Sequence, residues 1–279
     1  MSDILSRLGA CIHSNFSQPY GEFLDFVDAL GLRFIKVKVD IPEFTFALYD
    51  KRRRRGVKDL LDSYALRFSM HAPYLNMNIS SLNNDLRRAS IKTLLRSLEL
   101  ASYLDIDMVS THVGRLSKDL PRRYITKAAD AAKASLRKLK RASDEEGIAL
   151  TIENDHKTTD HLLAGYPDQI EGLVQELDCG FTLDLGHANT LVEPTQFIDA
   201  LSDRIVDVHL HDNHGGYDSH LAVGEGNIDF RRQLEALERV GSQGPLIMEQ
   251  YRLQDFEIGY GRLKHIAQYV TDKDLANPA

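Results

Sequence analysis

The stretch SIKTLLRSLELASYLDIDMVSTHV, residues 90–113, contains one full repeat of the pattern that decides the fold. In its first part Ile91, Leu94, Leu95, Leu98, Ala101 and Leu104 recur at the i, i+3, i+4, i+7 spacing of a helix that buries one face. Its last part, DMVSTHV (107–113), is short, apolar and β-branched, which predicts a strand. Strand-like runs of the same kind are LGACIHS (8–14), FIKVKVD (34–40), LRFSMHA (66–72), IALTIEN (148–154), GFTLDLG (180–186), IVDVHLH (205–211) and PLIMEQY (245–251). With 107–113 these make eight, each starting 25 to 41 residues after the one before. The segments between them look helical. TKAADAAKASLRKLKRA (126–142) combines strong helix formers with a cationic end that suits the helix dipole.

Strand–helix alternation at this spacing predicts parallel strands joined by crossover helices. Eight repeats with no evident linker predict an α/β fold, a single (β/α)8 TIM barrel spanning 1–279, with a frayed tail at about 271–279. An open doubly wound sheet would be favoured by a glycine-rich turn after the first strand. The segment there, HSNFSQPYG (13–21), has no GxGxxG.

The chain has 279 residues, 43% of them hydrophobic and 27% charged, as expected of a globular protein with a sizeable core. No run approaches the roughly 20 apolar residues of a membrane span. The N-terminus, MSDILSRLGACIHS, lacks the apolar core of a secretory signal. Two distant cysteines, Cys11 and Cys179, form no CxxC spacing, so a reduced, cytoplasmic location with buried thiols is expected. A net charge of -7 argues against a protein that coats nucleic acid. KRRRRG (51–56) is a local exception, read as a solvated loop or helix start or, alternatively, a phosphate contact.

The ionisable residues fall at one place in this pattern. His71 closes the third strand and His112 the fourth. Glu153 closes the fifth, and Asp184 closes the sixth with His187 three residues on. His209 lies in the seventh strand, Asp218 and His220 in the loop behind it, and Glu249 near the end of the eighth. The carboxyl ends of barrel strands converge on one mouth, so six successive strands deliver an acid or an imidazole to a small volume. Each residue alone has an ordinary reading: a hydrogen-bonded histidine, Asp184 as a helix cap, Glu153 paired at the rim. Together, four carboxylates and five histidines would repel or desolvate one another without cations, and the strands carrying them supply few. Imidazole mixed with carboxylate suits zinc or manganese, and a site for divalent metal is expected here. The loop HLHDNHGGYDSHLAVGEGNID (209–229) also carries His211, Asp212 and His214, which read as orienting groups or as solvated ones.

SMHAPY (69–74), STHVG (110–114), TIEN (151–154), TLDLGH (182–187), VHLHD (208–212), DSHLAVGEGNID (218–229) and IMEQ (247–250) resemble, in order and spacing, the xylose isomerase-like TIM-barrel superfamily. That group holds sugar and sugar-phosphate isomerases and epimerases together with endonuclease IV. The resemblance runs from the third strand to the eighth. It implies that Glu153, Asp184, His209 and Glu249 are a single-metal quartet, with Glu153 and Glu249 also moving a substrate proton. It implies that His71, His112, His187, Asp218 and His220 correspond to the added ligands with which endonuclease IV holds three zinc ions.

Two activities follow from the resemblance. One is a metal-dependent sugar or sugar-phosphate isomerase or epimerase, passing a proton through a metal-stabilised enediolate between two glutamates, with His71 and His187 binding substrate hydroxyls. The alternative is a trinuclear zinc phosphodiesterase acting on abasic DNA, for which nucleic acid would be the partner. The first is favoured because the DNA-contacting loops depart from the pattern. GACIHSNFSQPYG lacks the glycine pair, and KVKVDIPEFTF offers Asp40, Glu43 and two phenylalanines. A barrel that only stores or senses metal would not need the two facing glutamates. Lys36 and Lys38 share a strand face and leave open whether the substrate carries phosphate. Subunit number stays open.

Overall fold

The structure, a computed structural model, describes residues 4–276, with side chains as far as Val270. Eight parallel strands form a closed barrel: Leu8–Ile12, Phe34–Lys38, Arg67–His71, Met108–Thr111, Ala149–Glu153, Gly180–Asp184, Ile205–Leu210 and Leu246–Gln250. Each lies inside its expected range. The first strand closes the ring by pairing with the second (Gly9 with Phe34) and with the eighth (Cys11 with Glu249). The helix expected from residue 90 begins earlier, as Asn84–Tyr103, because Asn83 caps it by accepting from the Asp85 and Leu86 amides. Its face of Ile91, Leu94, Leu98 and Ala101 is buried against the barrel, each leucine contributing about 2 kcal/mol.

Side chains alternate between the two faces of each strand. The outward set, including Val37, Met70, Ile152, Leu183, Val208 and Met248, is apolar and packs in the core beneath the helices. The inward set is mostly polar, with Cys11 and Ile247 among the exceptions. Low in the barrel Lys36 pairs with Asp207 and donates to Ser110 Oγ at 3.1 Å, while the Thr151 and Thr182 hydroxyls meet at 2.6 Å. One tier higher come Lys38, His71, Glu153, Asp184, His209 and Glu249.

Two cations inside the barrel come from a strand that bears none of the nine acids and imidazoles. The second strand contributes two buried lysines, and neither is a rim residue: Lys36 is sealed inside, and only Lys38 faces the mouth. KRRRRG occupies the start of the helix Lys51–Leu61, capped by Asp50. Arg54 stacks over Tyr103 and Lys58 pairs with Asp105, next to the amino end of the fourth strand. The basic run therefore lies on the barrel's flank, toward the end away from the mouth.

Two short antiparallel strands that the sequence did not signal, Arg115–Leu116 and His161–Leu162, tie together the loops following the fourth and fifth barrel strands. The last helix, Leu253–Ala276, carries the chain through most of the segment expected to fray, and 277–279 lie outside the described residues. Among the described residues no helix is long and apolar enough to cross a membrane.

Candidate metal centre

All nine residues read from the strand ends meet at the mouth. His209 Nδ1 lies 3.4 Å from Glu153 Oε1, 3.4 Å from Asp184 Oδ2 and 3.1 Å from Glu249 Oε2. Three strands thus aim a carboxylate at one imidazole nitrogen carried by a fourth. His71 Nε2 approaches Glu153 Oε2 at 3.2 Å and His112 Nε2 approaches Oε1 at 3.8 Å. Asp218 Oδ2 stands 3.3 Å from both His187 Nε2 and His220 Nε2.

Backbone carbonyls set the direction of three of these rings. His71 Nδ1 donates to the carbonyl of Ala72 (2.7 Å), His187 Nδ1 to that of Asn154 (2.8 Å) and His220 Nδ1 to that of Glu249 (3.1 Å). A carbonyl only accepts, so each Nδ1 carries the hydrogen and each Nε2 offers a lone pair to the site. Asn154 also clamps the sixth strand, donating to the Asp184 carbonyl and accepting from its amide. Asp184 caps a helix and faces the cluster at once. Its Oδ1 caps the short helix Leu185–Asn189 through the His187 amide at 2.7 Å, while Oδ2 faces His209.

Of the residues whose reading was open, His211 is buried and packs into the cluster, its Nε2 on Asp184 at 2.9 Å and its ring stacked on His220 at 3.9 Å. Asp212 is buried too and accepts from the amides of Asn213, Gly224, Gly226 and Ile228, folding back the loop that bears Asp218 and His220. His214 is exposed.

The electrostatics call for positive charge. Burial favours the protonated acid at Glu153, but His209, His112 and His71 outweigh it and hold the carboxyl well below its usual range. Asp184 and Asp218 are likewise held down against burial, chiefly by His187 and His211. In return, His209 is pushed up to about 10 despite its burial, first by Glu153, and His187 is raised by Asp184 and Asp218. Several buried polar atoms here make no aligned hydrogen bond: both nitrogens of His209, Glu153 Oε2, Asp218 Oδ1 and His112 Nδ1. Such atoms are costly unless something else satisfies them. The donor atoms form groups that fit a divalent ion, each within 4.8 Å: His71–His112–Glu153, Asp184–His209–Glu249, Glu153–Asp184–His187 and His187–His211–Asp218–His220.

Above this cluster is a cavity of about 530 Å³. Its walls include Lys38 and residues the sequence reading passed over: His13, Tyr74, Arg115, Asp155 and Tyr251. Lys38 pairs with Glu249 Oε1, Arg115 with Asp155 at 2.9 Å, and Tyr74 Oη reaches His13 Nε2 at 3.3 Å. The available signal was position, since His13 directly follows the end of the first strand and Asp155 stands two residues beyond Glu153.

A closed parallel barrel whose strand ends supply acids and imidazoles to one mouth defines a class, and the comparisons place the chain within it. Residues 24–267 match the model of the xylose isomerase-like TIM barrel family, and the chain belongs to that family. An uncharacterized protein of Methanocaldococcus jannaschii, MJ1311, is 30% identical over 221 residues, covering 77% of this chain and 75% of that one. A crystal structure described as a D-tagatose 3-epimerase-like protein superposes with a TM-score of 0.85 at 25% identity, covering 96% of this chain and 99% of its own. The TTHB071 protein of Thermus thermophilus, from crystals soaked in zinc chloride, gives a TM-score of 0.75 at 21% identity, covering 94% and 98%.

Proposed function

We propose that this protein is a divalent-metal-dependent isomerase or epimerase of a sugar or sugar phosphate. The observation that carries the reading is the convergence of Glu153, Asp184 and Glu249 on His209 Nδ1 at the floor of a cavity. The likeness to a D-tagatose 3-epimerase-like protein supports the substrate class. Glu153, Asp184, His209 and Glu249 would hold the ion, zinc or manganese, which when bound supplies Lewis acidity to adjacent oxygens of a hydroxy-ketone. The chain's own groups do the rest. Glu153 and Glu249 stand on the fifth and eighth strands, with the sixth and seventh between them, so a substrate carbon over His209 has a carboxylate on either side. One removes the proton α to the carbonyl and the other returns one to the resulting enediolate. His71 and His187, beside Glu153, are placed to bind substrate hydroxyls, and Lys38 orients Glu249.

A second reading, abasic-site phosphodiester hydrolysis, draws support from the gathered nine-residue set and its several ligand groups. Against it, KRRRRG lies toward the opposite end of the barrel, and the mouth's Lys38 and Arg115 are already paired with acids. One experiment separates the two. The metal-loaded protein is incubated in D2O with a panel of ketoses and, in parallel, with an abasic duplex. The expected result is deuterium at the carbon next to the carbonyl, reduced at least about 100-fold in Glu249→Gln. Chelator-sensitive duplex cleavage, lost in Asp218→Ala and His220→Ala, would replace this reading with the nuclease.

A further inference from the structure

His209 is set differently from the other histidines of the centre. His71, His187 and His220 each fix their hydrogen on Nδ1 through a backbone carbonyl and present Nε2. His209 presents Nδ1 instead, and no carbonyl meets its Nε2 among the described residues. What lies there, at 3.4 Å and out of line for a hydrogen bond as the ring stands, is Asp207 Oδ2, from the same inward face of the seventh strand. Asp207 is fully buried. Its Oδ2 accepts from the Lys36 ammonium and from Thr182 Oγ1 at 3.3 Å, and Lys36 is itself fixed by Ser110 Oγ. Two charges are thus sealed in the barrel directly beneath the ligand cluster, where an apolar pair of the same volume would stabilise the fold as well or better.

We infer that Asp207, anchored by Lys36, is a positioning residue that keeps the hydrogen of His209 on Nε2 and so leaves the Nδ1 lone pair for the metal ion. A neutral imidazole carries one N–H. With carboxylates near both nitrogens, the ring could place it on either, and with the hydrogen on Nδ1 the ring could not bind a cation at the centre. Asp207 is an acceptor that cannot swing toward the ion, because Lys36 and Thr182 hold it below. Lys36 also cancels its charge, so the dyad orients the ring without adding a further anion to the cluster. The arrangement performs for His209 what the carbonyls perform for the other three.

This inference rests on the proposed function only in requiring that the centre bind a divalent ion. The test is zinc affinity by calorimetry, alongside melting of the metal-free protein. Asp207→Ala alone strands the Lys36 charge and is expected to melt early or fail to fold. The informative variants remove both charges. Lys36→Met with Asp207→Leu is expected to melt within a few degrees of wild type yet bind zinc about 10- to 100-fold more weakly. Lys36→Met with Asp207→Asn restores an acceptor oxygen beneath Nε2 and is expected to recover most of the affinity. Wild-type affinity in the Met/Leu protein, or no recovery with Asn, overturns the positioning role. Absence of zinc binding by wild type itself would instead remove the proposed function, and this inference with it.

Discussion

At the scale of single residues, the two cysteines test how tightly the barrel is sealed. Burial pushes the Cys11 thiol up to about 11 and that of Cys179 up to about 12. Both are therefore neutral in the folded protein at pH 9, where unfolded thiols are about half ionised. Alkylation by iodoacetamide at pH 8 is expected to modify neither until denaturant is added, as read by intact mass; labelling of the native protein would contradict this. The sign of the pH effect follows. Between about pH 9 and the raised folded values, the unfolded chain has released protons that the folded chain keeps. Stability from these groups is thus complete below pH 9 and is lost as pH climbs toward 11–12, which predicts a falling urea midpoint across that window. That the acids and imidazoles of the strand ends meet was legible at this scale because parallel strands in a barrel all end at the same mouth. Lys36 and Lys38 were legible only as sharing a face, not as buried pairs with Asp207 and Glu249. Alternation of lysine with apolar residues is the pattern of a strand with one solvated face, and only the closed barrel shows that both faces are buried.

At the scale of elements, the loop after the seventh strand is folded by contacts the sequence did not reveal. Asp212 gathers four backbone amides from across the loop, and Gly186, in the turn after the sixth strand, leaves room for the His211 ring. A Cβ on Gly186 would stand 1.9 Å from His211 Cε1, and that ring is stacked on His220 and bonded to Asp184. Asp212→Asn would set an amide NH2 against backbone donors, leaving some unsatisfied. It is expected to destabilise by about 3 kcal/mol in urea unfolding and to weaken any ion held by His187, Asp218 and His220. An unchanged midpoint would mean that the loop is held elsewhere. Strand number, order and ends could be read from the alternation of short apolar runs with amphipathic helices. The two-residue strands at 115–116 and 161–162 could not, because their pairing depends on how two mouth loops happen to meet. VHLHD gave His209 and left His211 and Asp212 ambiguous, since a histidine two residues along a strand shares a face whether it ligates, orients or fills space.

At the scale of the whole molecule, the barrel divides its labour by layer. The outward strand faces form an apolar core with the helices. The lower interior carries a hydrogen-bonded tier built on Lys36 and Asp207, and the upper interior carries the acids and imidazoles. That gradient places a desolvated, negatively charged centre at the bottom of a cavity, where a divalent ion would be both counter-charge and Lewis acid. Everything proposed for the chemistry depends on Glu153, Asp184, His209 and Glu249 sharing that ion. The most direct measurement is anomalous diffraction at the zinc or manganese edge from crystals grown with the metal. The account predicts an anomalous peak with a carboxylate oxygen from each of Glu153, Asp184 and Glu249 and Nδ1 of His209 all at roughly 2.0–2.3 Å. A metal-saturated crystal with no peak there, or one whose ion touches fewer than three of these four side chains, would contradict it.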